Sequence, residues 1–180
     1  AYHSNARVDL ALDAADQLLA KDPADPYFLE LKGQVLLESG RPHEALDPLR
    51  RATAMTNAEP LIASLFGHAL IATEDDGNFE EAERVLRAAV GRDRRNPFAW
   101  YQLGVVYAAR GDTARARLAS AEQQVMNRQY GLALRSAQAA EYGLEHGTPD
   151  WIRAQDIGMQ ARALLERQCE MERGRDCAPG

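Results

Sequence analysis

The chain is 180 residues long, 46% of its residues are hydrophobic, and its formal net charge is −6. That hydrophobic share excludes a wholly disordered chain, and an acidic balance without a basic stripe argues against nucleic-acid binding. No apolar run approaches the ~18 residues that a membrane-spanning helix needs, so the sequence predicts no membrane span.

The first 25 residues predict one helix. Apolar residues recur at helical spacing from Val8 to Lys21, and Asp22-Pro23 then ends the pattern. This segment is typical of the second helix of a helical pair whose first helix is missing. We therefore interpret residues 1–25 as a partial repeat, which favours a fragment or a truncated N-terminus.

Residues 26–130 contain one unit three times, because prolines, glycines and alanines recur in the same order with gaps of 34 or 37 residues. A fixed period of this size indicates one folding unit copied along the chain. All three 37-residue gaps are explained by three extra residues between Thr73 and Phe79, in a stretch of loop composition. The predicted repeats are 26–59, 60–96 and 97–130. The recurring residues are Pro26, Pro60 and Pro97, then Gly33, Gly67 and Gly104, then Ala45, Ala82 and Ala116.

Each repeat predicts two antiparallel helices that cross closely. In the third repeat, Trp100, Leu103, Gly104 and Tyr107 share one helical face, and Gly111 follows as a helix stop. The small residues lie where a larger side chain would push the two helices apart. A stack of such pairs binds partners far more often than it performs chemistry.

The C-terminal part departs from this period. Ala133 follows Ala116 by only 17 residues, so the helix around residues 114–126 serves two units, and residues 131–147 form a half repeat. Thr148-Pro149-Asp150 is a good start for a last helix, from about Trp151 to Cys169. We interpret residues 148–180 as a capping helix and tail, which an array needs to cover its last apolar face.

Residues that could carry chemistry are few. His43-Glu44-Ala45-Leu46-Asp47 looks briefly like a zinc-protease helix, but the second histidine of that motif is replaced by Asp47. No phosphate-binding loop and no nucleophile with a base is visible. The sequence therefore predicts a chain that is not itself an enzyme, with no catalytic residue, no metal site and no cofactor.

The sequence allows two interpretations of the two cysteines. Cys169 and Cys177 lie eight residues apart, at the end of the last helix and in the tail. They could form a disulfide that ties the tail to the helix. In a reducing compartment they would be two free thiols.

The repeated residues resemble the tetratricopeptide repeat (TPR), whose pattern begins W-x2-L-G-x2-Y and continues with a small residue. Trp100, Leu103, Gly104, Tyr107 and Ala116 match that pattern without gaps. The first two repeats match it in the same phase. The resemblance implies an all-α fold, a right-handed TPR superhelix of antiparallel helix pairs with a C-terminal capping helix.

In TPR arrays the first helix of each pair lines a concave groove that binds a protein or peptide. Carried over position by position, the family's groove positions imply a mixed surface that is apolar and aromatic, with acids at one end. The Lys and Asn that grip a carboxylate in chaperone-binding TPR domains are absent, so an extended or helical apolar segment is the better partner. The alternative is that the aromatic residues only pack between repeats. The implied groove residues are Tyr27, Glu30, Gln34, Leu37, Leu61, Ser64, His68, Ile71, Phe98, Tyr101 and Val105.

A narrower resemblance covers about residues 18–165. The runs 25–34, 38–42, 96–100 and 151–156 are similar to the C-terminal TPR region of bacterial periplasmic zinc metallopeptidases of the BepA type. The resemblance implies a catalytic domain before Ala1, a periplasmic location and a Cys169–Cys177 disulfide. It also implies docking on the protease domain of the same polypeptide and contact with outer-membrane assembly partners or substrates.

Two functions are therefore expected. In the first, the chain is the partner- or substrate-recruiting domain of a periplasmic zinc metallopeptidase involved in outer-membrane protein quality control. In the second, it is a free-standing TPR adaptor that scaffolds a protein complex, with a cytoplasmic location as the alternative compartment. Both functions use the groove.

Overall fold

The computed structural model describes the backbone of residues 2–173 and the side chains of residues 7–171. Within that range every regular element is a helix. The chain divides into two compact units, Ala1–Arg94 and Arg95–Gly180.

The first unit contains five α-helices and one short 3₁₀-helix, Asp76–Asn78, which lies in the predicted loop insertion. Asn78 donates a side-chain hydrogen bond to Thr73 Oγ1 at 2.8 Å, which closes this loop. The insertion therefore lengthens a turn and leaves the helices on either side intact. The helices are α1 (Tyr2–Lys21), α2 (Pro26–Glu38), α3 (Pro42–Met55), α4 (Pro60–Ala72) and α5 (Phe79–Arg92).

Local sequence signals set the ends of these helices. The Asp25 carboxylate accepts hydrogen bonds from the backbone N–H groups of Tyr27 and Phe28, and proline occupies the first turn. At the other end of α2, Gly40 has a φ of 77°, and the Arg41 N–H donates to the carbonyl of Leu36 at 2.9 Å. This left-handed glycine stop satisfies carbonyls that the end of the helix leaves free.

The core of the first unit is built where each helix pair crosses. A methyl carbon added to Gly33 would lie 2.6 Å from Leu49 Cδ2, and one added to Gly67 would lie 2.6 Å from Leu86 Cδ2. Both leucines are fully buried. The glycines are therefore required because a leucine from the second helix occupies the space above each of them.

The first helix of the next pair packs against both helices of the pair before it. Leu29 of α2, Ala52 of α3 and Ile62 of α4 form one buried cluster, with Leu19 of α1 packed against it. Thus α4 lies against the surface that α2 and α3 make together, and burial of these apolar side chains stabilises the stack.

The second unit begins like a repeat and then changes its packing. The helices are α6 (Pro97–Ala109), α7 (Thr113–Met126), α8 (Tyr130–Gly143) and α9 (Pro149–Arg173). Helix α7 pairs with α6 through one face. Its opposite face forms a core with α8 and α9 made of Leu118, Ala121, Ala137, Ala140, Ala154 and Ile157.

Charged side chains tie α9 to α7. Arg153 donates two hydrogen bonds to the Glu122 carboxylate at 2.6 and 2.9 Å, and the Glu122 side chain is only 6% exposed. Arg115 bonds both Asp112 and Asp150, at 2.9 and 2.7 Å. These two carboxylates raise the pKa of the Arg115 guanidinium, which therefore stays charged. These ion pairs therefore hold α9 against α7.

The terminal helices are longer than the sequence indicated. Helix α1 begins at Tyr2 rather than Val8, and α9 extends from Pro149 to Arg173 rather than from Trp151 to Cys169. Polar residues continue the helices at these ends, where apolar periodicity gives no signal. In the part of the chain that the structure describes, no helix is both long and apolar enough to cross a membrane.

Candidate functional site

In the first unit, the predicted groove residues lie on α2 and α4. Tyr27 is 62% exposed and Leu61 is 68% exposed, although both side chains are large and apolar in character. Leu31, close to Tyr27 on α2, is also exposed. Large apolar side chains exposed in this way are a common feature of surfaces that bind another protein.

Polar groups surround these apolar side chains. Burial, together with the nearby Glu59 carboxylate, raises the pKa of Glu30 above its ordinary value. Partial burial lowers the pKa of His68, so this imidazole is neutral at pH 7. Gln34 donates a hydrogen bond to Glu38 at 2.7 Å. The face is therefore acidic near α2 and carries no positive charge among the predicted positions.

Not every predicted position offers surface to a partner. Ser64 is only 1% exposed, and its hydroxyl donates to the carbonyl of Pro60 in the preceding turn. Leu37 and Ile71 are half-buried. We therefore remove Ser64 from the contact surface.

In the second unit, the predicted residues lie on α6. Phe98 and Tyr101 are 43% and 56% exposed, and Val105 is half-buried beside them. Tyr101 and Val105 continue directly into a cavity of about 350 Å³ between α6 and α7, which we call the α6–α7 slot. Several of its lining residues have small side chains, among them Gly104, Ala108 and Ala116. Its lining residues are Tyr101, Gly104, Val105, Ala108, Thr113, Ala116, Arg117, Ser120 and Gln123.

The α7 side of this slot was not among the positions predicted from the sequence. Only first helices were carried over as groove positions, so Arg117, Ser120 and Gln123 were not considered. A signal was present, because Ser120 occupies the position that holds Leu49 and Leu86 in the first two repeats. An apolar position that becomes polar in one repeat marks a place where the internal packing changes.

Two further predictions from the sequence concern metal binding and a disulfide. Among residues with described side chains, no group of three or more His, Cys, Asp or Glu is placed to hold a metal ion. Cys169 lies near the end of α9, whereas Cys177 lies outside the described residues, so the predicted disulfide stays a prediction.

Comparison with known proteins identifies the architecture. The model of the tetratricopeptide repeat family matches residues 1–60 and 72–128, well over half of the chain. A crystal structure of MamA is similar with a TM-score of 0.64 at 19% identity, over 93% of this chain and 94% of that one. A second MamA structure has the same TM-score at 17% identity, over 99% of this chain and 91% of that one.

The structure of TTC0263, a thermophilic TPR protein in Thermus thermophilus, has a TM-score of 0.51 at 23% identity and covers 91% of this chain and 93% of its own. At such identities the likeness shows the fold alone. No curated protein sequence matches at a significant level. The predicted fold class, an all-α TPR solenoid, is confirmed by these matches and by the stacked helix pairs. The chain belongs to the tetratricopeptide repeat family.

Proposed function

We propose that this TPR protein recruits a partner by binding an extended or helical apolar segment on the exposed faces of its first helices. TPR folds are protein-interaction scaffolds, which supports binding as the general function. The observation that carries the proposal is the exposure of large apolar side chains on these helices, namely Tyr27 and Leu61 on one unit and Tyr101 on the other. Aromatic residues exposed in this way commonly dominate binding energy.

At a finer level, the recruiting domain belongs to a periplasmic zinc metallopeptidase that acts in outer-membrane protein quality control. The sequence runs 25–34 and 151–156 support this proposal through their similarity to that class of enzyme. In that case the catalytic residues lie on another domain of the same polypeptide, and the TPR domain presents substrates or assembly partners to it. The alternative is a free-standing adaptor that scaffolds a complex.

Replacing Phe98 and Tyr101 together by alanine tests the binding proposal. We expect capture of the partner to weaken by about 1–4 kcal/mol, because the two rings would lose apolar contact area at a binding hot spot. A photo-crosslinking residue at Tyr27, Leu61 or Tyr101 would identify the partner in source cells, and the isolated partner would then be titrated.

The matched control replaces Leu132 and Tyr142 of α8, which are also exposed, by alanine. Crosslinkers at exposed Ala54 and Ala88, on second helices, complete the control set. Equal crosslinking from both sets of positions, or unchanged affinity of the Phe98/Tyr101 variant with its helicity intact, would rule out the proposed faces.

Cell fractionation decides between the two finer functions. The peptidase proposal predicts a periplasmic band well above 19.9 kDa on an immunoblot raised against this domain. A cytosolic band close to the mass of the chain would leave the adaptor and exclude the peptidase.

A further inference from the structure

One position in the repeats distinguishes the third pair of helices from the other two. Leu49 and Leu86 fill the space above Gly33 and Gly67, and both leucines are fully buried. The equivalent residue in the third repeat is Ser120, whose hydroxyl donates to its own helix, at the carbonyl of Ala116. The site that holds a leucine side chain elsewhere in the molecule is therefore left open.

The open space above Gly104 is measurable. A methyl carbon added to Gly104 would lie 3.5 Å from the Ala119 methyl group, which is an ordinary contact, and 4.0 Å from Ser120 Oγ. The α6–α7 slot occupies this space, with a volume of about 350 Å³. Its size falls within the range of cavities that bind ligand groups.

In the first unit, the equivalent surface is covered by a helix. Ala52 of α3 is fully buried against Ile62 of α4 and Leu29 of α2. The residue equivalent to Ala52 in the third repeat is Gln123, which lines the slot and is half-buried. The first pair thus gives an example of a helix docked at this one position of the repeat.

Helix α8 does not take that place in the second unit. It packs on the other side of α7, through Leu118 and Ala121, where α9 joins it. Three α7 residues that line the slot, Ala116, Ser120 and Gln123, lie about 100° or more around the helix from that core, given 100° per residue. Arg117 lies at the edge of the slot nearest to the core, about 40° from Ala121. Among the described helices of the second unit, α8 and α9 both pack on the Leu118 and Ala121 face, and neither therefore takes the place on α7 that α4 takes on α3.

A positive charge at the rim of the slot favours a bound segment that carries an acidic group. Helix α7 carries two arginines, and Arg115 is engaged by Asp112 and Asp150. Arg117 is exposed at the rim of the slot, and the positions three and four residues away on α7 hold Thr, Ala or Ser rather than an acid. An acidic group on a bound segment could pair with Arg117 without competing with a carboxylate of its own helix.

We infer that the α6–α7 slot binds an amphipathic helix of a partner protein, which inserts a leucine-sized apolar side chain above Gly104 and places an acidic side chain at Arg117. This inference rests on the proposed function and names the chemistry of the recruited segment. The bound helix contacts Gln123, the position at which Ala52 of the first pair receives α4. Binding by an apolar anchor in a groove is a common mode of helix recognition.

The test uses the full chain and a displayed library of helical peptides, randomised at three apolar positions on one face and at one flanking position. We expect selected peptides to carry Leu, Met or Phe as the anchor and Asp or Glu at the flank. Ser120→Leu restores the leucine of the other repeats and fills the slot, so selected peptides should bind it about tenfold or more weakly. Arg117→Gln should remove the preference for an acidic flank over a glutamine flank.

Matched controls lie on α8. Ala139→Leu adds the same apolar bulk at an exposed position, and Arg135→Gln removes an exposed arginine, so both should bind peptides as the parent does. Ser120→Leu should keep or raise the urea midpoint, because it fills open space. Ala108→Trp, at an exposed position of the slot wall, provides a second blocking variant that does not touch the core.

The possible outcomes test the slot inference separately from the general binding proposal. Selected peptides that bind both blocking variants as tightly as the parent, but lose affinity on Leu61→Ala, would overturn the slot while the binding proposal stands. Failure to select any peptide would overturn the slot, and the crosslinking experiment would then judge the general proposal independently. A dimer in sedimentation equilibrium that Ser120→Leu abolishes would show that a second copy occupies the slot, which also overturns the inference.

Discussion

At the scale of single residues, three glycines at one repeat position have two different roles. Gly33 and Gly67 are required because Leu49 and Leu86 lie directly above them. Gly104 has an ordinary contact distance above it and lines an open slot instead. The sequence shows the same residue at the same position in each repeat, so only the opposing side chain separates the two roles.

Replacing Gly33 and Gly104 individually by alanine tests this distinction. Gly33→Ala should destabilise the protein by about 1–3 kcal/mol, because its methyl group would overlap the buried Leu49 side chain. Gly104→Ala should stabilise it by up to about 1 kcal/mol, since alanine is the better helix former and space is available. Urea unfolding followed by far-UV circular dichroism measures both, because the two tryptophans, Trp100 and Trp151, lie only in the second unit.

Gly104→Ala is the matched control for Gly33→Ala, as both changes add one methyl group at the same repeat position. Equal shifts of the urea midpoint for the two variants would contradict the interpretation that the opposing leucine decides the requirement for glycine.

At the scale of elements, helix starts and stops follow local chemistry. Asp25, Asn96 and Asp112 each cap a helix through a side-chain oxygen. Gly40 and Gly111 both adopt a positive φ, near 80°, just after a helix ends. These signals depend on residues close in sequence, which is why the helices of the repeats could be predicted without the structure.

The connection between α9 and α7 could not be predicted in this way. Glu122 and Arg153 are 31 residues apart, and nothing in either local sequence indicates a buried ion pair. Their pairing depends on α9 crossing α7. This crossing is possible because α8 and α9 pack together on one face of α7. The sequence predicts a capping helix but carries no local signal of the ion pair that holds it.

Breaking this ion pair should destabilise the second unit. Arg153→Met leaves the Glu122 carboxylate buried without its counter-ion, and we expect a loss of about 3 kcal/mol. Adding Glu122→Leu to that variant should recover most of the loss, because no uncompensated charge then remains. Urea unfolding followed by tryptophan fluorescence reports the change through Trp100 and Trp151.

The control for this prediction is the exposed pair of Arg41 and Glu44, which are 2.6 Å apart. Glu44→Gln should leave the urea midpoint nearly unchanged, because exposed ion pairs are screened by water. A loss for Arg153→Met no larger than that of Glu44→Gln would show that α9 is held by apolar packing alone.

At the scale of the whole molecule, the repeat period determined the architecture. The 34-residue spacing requires each helix pair to bury its apolar face on a neighbour, so the spacing predicts a stack before any contact is known. The family match and the similar crystal structures agree with that prediction. The candidate surface was predicted less completely. Tyr27, Leu61 and Tyr101 are exposed, whereas Ser64 is buried.

The sequence by itself determined the helices, their ends and the repeated pairing, because capping, glycine stops and apolar periodicity all act between residues that are close along the chain. Only the tertiary structure decided which face of α7 receives α8, and hence that the slot beside Ser120 stays open. That choice depends on packing between helices distant in sequence, where the fit of whole surfaces, rather than any local signal, sets the lower free energy.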